Sequence, residues 1–176
     1  MEILVVIDMQ NDFLTGALGN PETAGILPKV CQRVREYRQS HDLPVIYTMD
    51  THGENYLDTQ EGRKLPVPHC IAGTKGWELP ESLKEAIGDG VEVRKETFGA
   101  KTLPDVITKI CGGKAPEKIT FMGVCTDICV ISNAMLIKAF FPEAEIEVVG
   151  SCSAGVTPES HDRALAAMES CQIEVR

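Results

Sequence analysis

The run Ile3-Leu4-Val5-Val6-Ile7 constrains the fold more than any other stretch, because five consecutive aliphatic residues without polar alternation leave a strand no solvent-facing side. Such a strand is buried on both faces, as in a parallel sheet covered by helices. From Ile26 to Arg38, Ile26, Leu27, Val30, Val34 and Tyr37 follow a 3.6-residue period among Lys29, Arg33, Arg35 and Arg38, the pattern of an amphipathic covering helix with Pro28 in its first turn. Further strands are expected at 44–49, 91–95, 119–122, 146–149 and 173–175. Helices are expected at 81–87, at 103–110, from Cys129 onward, and through Ser170 after the capping sequence Thr157-Pro158-Glu159. This alternation predicts a three-layer, doubly wound α/β fold with a mostly parallel six-stranded sheet and helices on both faces, in a single domain over residues 1–176.

Composition narrows the function. A formal charge of −9 with no basic run argues against nucleic acid or an anionic membrane surface as partner, which leaves small molecules. No stretch approaches the ~18 apolar residues of a membrane span, and residues 1–8 lack a signal peptide's basic start, so a cytoplasmic protein is expected. The seven cysteines include no C-x-x-C pair, so they are expected to be reduced. Neither G-x-G-x-x-G nor G-x-x-x-x-G-K-[ST] occurs, which disfavours dinucleotides and nucleoside triphosphates.

The chemistry gathers at predicted strand ends. Open α/β sheets bind ligands at the carboxyl ends of their strands, and here those ends carry Asp8, Asp50 and Lys95. Each has an ordinary reading as a turn residue or a solvated charge. The fourth strand runs through Gly123 into a helix with Cys129 in its first turn, where Thr126 or Asp127 can cap and where free N–H groups and the helix dipole favour a thiolate. By itself, a cysteine among valine and isoleucine reads better as a small core hydrophobe. Residues 50–79 form a long loop with little apolar periodicity, and loops of this length are usually functional or disordered. Within it Asp50, His52 and His69 offer one oxygen and two imidazoles, a donor set suited to zinc, iron or manganese.

An aspartate after strand one, Asp-x-His and a later histidine after strand two, a lysine after strand three and a cysteine after strand four resemble the isochorismatase-like cysteine hydrolases, and among them the nicotinamidases. The matching stretches are Val6-Ile7-Asp8-Met9-Gln10-Asn11-Asp12-Phe13, Asp50-Thr51-His52, His69-Cys70-Ile71-Ala72-Gly73-Thr74, Lys95-Glu96-Thr97-Phe98-Gly99 and Gly123 to Val130. The resemblance implies a catalytic triad of Asp8, Lys95 and Cys129, and one divalent metal ion held by Asp50, His52 and His69, with Glu61 as fourth ligand and Glu54 behind it. It also implies a cis peptide between Val124 and Cys125 that aims the N–H groups of Cys125 and Cys129 into an oxyanion hole. Phe13, Phe98, Val124 and Cys125 are expected to line the substrate pocket. One departure stands out: many nicotinamidases place tryptophan three residues before the last metal histidine, where this chain has Pro66.

The expected activity is hydrolysis of nicotinamide to nicotinate and ammonia through a Cys129 thioester, a step of NAD salvage, in a homo-oligomer. The alternatives are a relative acting on another amide, a carbamate or a vinyl ether, and a binding module that keeps the fold without catalysis.

Overall fold

The computed structural model describes residues 1–176. Along the chain it forms β1 (Glu2–Ile7), α1 (Asn11–Leu14), α2 (Pro21–Gly25), α3 (Leu27–Ser40), β2 (Ile46–Asp50), α4 (Gln60–Lys64), α5 (Glu81–Ile87), β3 (Val91–Lys95) and α6 (Leu103–Ile110). Then come β4 (Lys118–Val124), a π-helical turn at Thr126–Val130, α7 (Ile131–Phe140), β5 (Glu145–Ala154), α8 (Pro158–Ser170) and β6 (Glu174–Val175). The six strands form one sheet in the order β3-β2-β1-β4-β5-β6. Every pairing is parallel, so the sheet is more uniform than the expected mostly parallel one.

Alternation along β1 divides the core, since successive side chains of a strand point to opposite faces. Leu4 and Val6 pack with Val30, Val34, Leu83 and Ile87 under α3 and α5. Ile3, Val5 and Ile7 pack with Leu103, Ile107, Ala134 and Ile137 under α6 and α7. Three layers result. No helix is long and apolar enough to cross a membrane.

The expected elements are present with shifted ends. Strand β5 runs to Ala154, well past Val149, and its register with β4 slips: Phe121 faces Val148 whereas Gly123 faces Ser153. The 50–79 loop contains a 3₁₀ turn at Tyr56–Asp58 and α4, which Thr59 caps by accepting from the Gly62 N–H. These pieces span fewer than two turns, too short to leave a hydrophobic period in the sequence. Gly123 has φ of 125°, and a Cβ there would strike the Ile7 backbone, so only glycine lets β4 pass so close to the end of β1.

Candidate active site

Four adjacent strands, β3, β2, β1 and β4, deliver Lys95, Asp50, Asp8 and the turn before Cys129 to the same edge of the sheet. Asp50 and Lys95 are direct partners in the β2–β3 register. The Lys95 Nζ lies 2.7 Å from Asp8 Oδ2, 3.0 Å from Asp50 Oδ1 and 3.4 Å from Cys129 Sγ. All four side chains are buried. Asp8 sits at φ of 46°, a backbone conformation uncommon for a residue with a side chain, just where the strand turns into α1.

The two Asp8 oxygens differ. Oδ1 accepts a 2.6 Å hydrogen bond from the Thr48 hydroxyl. Oδ2 lies 2.7 Å from the Lys95 ammonium in a buried ion pair. Burial pushes the Asp8 carboxyl up from the ordinary range, and the Lys95 charge offsets only part of that. For Lys95, burial alone favours the neutral amine, but Asp8, Cys129 and Asp50 outweigh it and hold the ammonium well above its usual pKa.

The cysteine turn corrects two expectations. Val130 N–H donates to the Cys125 carbonyl at 3.0 Å, a π-type spacing, and no side chain caps the turn. Thr126 instead meets His161 Nδ1 at 2.8 Å, and Asp127 Oδ1 accepts from the Val156 N–H at 3.1 Å. The Cys129 thiol is also not lowered: burial and then the nearby Asp8 charge push it well above its ordinary value. A helix terminus cannot outweigh full burial beside a carboxylate. Burial therefore favours the Cys129 thiol over the thiolate. The Val124–Cys125 peptide bond is cis, and the Cys125 N–H has no partner within the chain.

Beside this cluster, ligand atoms of Asp50, His52 and His69 all lie within 4.8 Å of one another. Asp50 Oδ2 is 2.9 Å from His52 Nε2 and 3.6 Å from His69 Nε2. Glu61 Oε1 stands 3.8 Å from each of these nitrogens, while Glu54 is exposed and pairs with none of them. His69 Nδ1 is 2.8 Å from the Val67 carbonyl. A carbonyl only accepts, so Nδ1 carries the proton, while Nε2 faces Asp50, donating to it in the charged ring and able to hold a cation in the neutral one. Burial opposes charge on both groups, yet hydrogen bonds from His52 and His69 hold the Asp50 carboxyl well below the usual range, and Asp50 raises His69. A place that stabilises positive charge on imidazole suits a divalent cation, and the donor set fits one.

A cavity of about 230 Å³ opens onto both clusters and is lined mainly by apolar side chains, among them Phe13, Leu65, Phe98 and Ile128. Cys125, Cys129, Glu61 and His69 also reach it. Val124 does not. Its side chain is fully buried in the core layer under α3. Pro66 does not line the cavity, whereas its neighbour Leu65 and Phe98, which is 44% exposed, do.

Residues 2–176 match the family model described as the isochorismatase domain. The nicotinamidase of Schizosaccharomyces pombe is 25% identical, with 98% of this chain and 91% of the relative covered. Among solved structures, the pyrazinamidase of Pyrococcus horikoshii in complex with zinc superposes with a TM-score of 0.82 at 30% identity, covering 99% of this chain and 98% of that one. The pyrazinamidase/nicotinamidase of Streptococcus mutans gives a TM-score of 0.85 at 25% identity over 100% of both chains. The chain belongs to the isochorismatase family of hydrolases.

Proposed function

We propose that this protein hydrolyses nicotinamide to nicotinate and ammonia through a thioester on Cys129. One observation carries the reading: an Asp8–Lys95–Cys129 cluster linked at 2.7 and 3.4 Å adjoins an Asp/His/His trio at a single apolar cavity. Size supports it. An apolar cavity of about 150 Å³ takes one benzene ring, so a somewhat larger cavity admits a six-membered ring with one small substituent. The cavity offers about 230 Å³.

Asp8 Oδ2 takes the proton of the buried Cys129 thiol, and the sulfur attacks the carboxamide carbon. The N–H groups of Cys125 and Cys129 stabilise the oxyanion, where loss of one donor typically costs about 2.7–4 kcal/mol. Asp8 returns the proton as the C–N bond breaks, and ammonia leaves. Water, deprotonated by Asp8, then opens the thioester to nicotinate and restores the thiol. Throughout, Lys95 keeps positive charge between Asp8 and the sulfur. Asp50, His52 and His69, with Glu61 completing the set, would hold a divalent ion, which would supply Lewis acidity toward the ring nitrogen.

The test is ammonia release and nicotinate formation by purified protein, run beside other amides, a carbamate and a vinyl ether. Turnover of nicotinamide ahead of the panel is expected. Turnover of another member with none of nicotinamide overturns the assignment.

A further inference from the structure

Strands β1 and β2 pair through their backbones only as far as Val5↔Ile46 and Val6↔Tyr47. Beyond that point they diverge, and side chains take over. The Asp8 N–H donates to the Thr48 hydroxyl at 3.1 Å. Two residues on, the Gln10 amide pairs with Asp50 as a peptide group would: its Oε1 accepts from the Asp50 N–H at 2.8 Å, and its Nε2 donates to the Asp50 carbonyl at 2.8 Å. The same Nε2 also donates to the Trp77 carbonyl at 2.9 Å. The amide orientation is fixed by its partners, because a flipped group would set NH₂ against an N–H and oxygen against two carbonyls. Gln10 is fully buried.

The Trp77 contact closes a ring. Trp77 Nε1 donates to the Thr51 hydroxyl at 2.9 Å, and that hydroxyl donates to the Met49 carbonyl at 2.9 Å. Residues 49–51 are thus held on both sides by groups from elsewhere in the chain. Asp50 is the one side chain of this segment that faces Lys95 with one oxygen and both histidines with the other. Small rotations of its backbone would move both contacts together.

We propose that Gln10 is a positioning residue for the metal site, its side-chain amide replacing the missing β1–β2 backbone pairing and so fixing Asp50 between Lys95 and the two histidines. The inference rests on reading Asp50, His52 and His69 as a metal site. Partners that orient metal ligands typically govern affinity by 10–100-fold, and an amide that holds the backbone of a ligand falls within that range.

Zinc affinity, measured by competition with a chromophoric chelator, tests it in the full chain, its Gln10→Met and Gln10→Glu variants, and Asn11→Ala as a control. Asn11 Nδ2 donates to the Lys75 carbonyl at 2.9 Å and touches none of residues 49–51. Gln10→Met should bind zinc about 10–100-fold more weakly, whereas Asn11→Ala should match the parent even where its unfolding midpoint drops. Gln10→Glu keeps the acceptor for the Asp50 N–H but loses both donors, so its affinity should lie between, and it carries the test if Gln10→Met does not fold. Parent-like zinc affinity in both Gln10 variants overturns the inference and leaves the proposed activity standing. A parent chain that binds no zinc overturns the metal reading and this inference together.

Discussion

Lys95 Nζ lies 3.0 Å from Asp50 Oδ1, and that contact makes one carboxylate common to the Asp8–Lys95–Cys129 cluster and the histidine cluster. Asp50 cannot change its charge or position for one cluster without the other sensing it.

Replacing Lys95 should therefore damage more than chemistry. Lys95→Met leaves Asp8 and Asp50 buried without their shared cation, and breaking a buried pair on one side typically costs about 3–5 kcal/mol. Urea unfolding should show a loss of that order, with ammonia release abolished. Lys95→Arg should also fail, because a planar guanidinium cannot occupy a point flanked by three groups. Unchanged stability in Lys95→Met would remove Lys95 from its bridging role.

The two cavity cysteines should separate cleanly. Cys129→Ala should abolish turnover with the fold intact by circular dichroism, while Cys125→Ala, which alters a side chain but keeps its backbone N–H, should retain most activity. The reverse result would move the nucleophile to Cys125.

The pH dependence follows from the directions of the shifts. Burial raises Asp8, and a base must be ionised to work, so kcat/KM should climb with pH through a point above the ordinary carboxylate value of 3.8. Cys129 and Lys95 are both held above their ordinary values, so no alkaline fall from either is expected near neutrality. Alkylation of Cys129 by iodoacetamide should likewise rise only at high pH. In Asp8→Asn that curve should move to lower pH, because the charge that opposes the thiolate is gone, even as turnover is lost. An identical curve in Asp8→Asn counts against Asp8 as the base.

Metal removal should act on binding. Asp8, Asp50 and Glu61 place three carboxylates against the single ammonium of Lys95, an imbalance that a divalent cation corrects. About one equivalent of zinc, iron or manganese is expected by elemental analysis. Chelation or His52→Ala should raise KM for nicotinamide far more than it lowers kcat, as removal of uniform binding does. A large drop in kcat at unchanged KM would instead point to activation of water. Full nicotinamidase activity in metal-free protein would sink the site.

Much of this arrangement is legible in the sequence because burial on both faces leaves a strand no choice of residue until it ends. Asp8 and Asp50 stand out as the first carboxylates after apolar runs, whereas Lys95 closes the edge strand β3 on the buried side of its alternation with Glu92 and Arg94, and the sheet order then brings the three together. Gln10 and Trp77 are not legible. A glutamine after a strand reads as a turn residue, and its three backbone partners lie 40 and 67 residues away. The direction of the thiol shift was also hidden, since a helix start is visible in sequence whereas the burial that overrides it is not. Val124 is not legible either: its neighbour Cys125 reaches the cavity, but the Val124 side chain lies in the core layer under α3.

The π turn at Thr126–Val130 sets the phase of everything after it. Val130 and Ile131 reach back five residues, to Cys125 and Thr126, and the turn so formed holds one residue more than a turn of regular helix, each residue of which advances by about 100°. Val130, Ala134 and Ile137 keep their places in the core while Cys129 is carried round to Lys95. Shortening this turn by a single residue would make the helix regular and turn it by about 100° relative to β4, so the core contacts of Val130, Ala134 and Ile137 and the 3.4 Å approach of Cys129 to Lys95 hold together only with the extra residue in place.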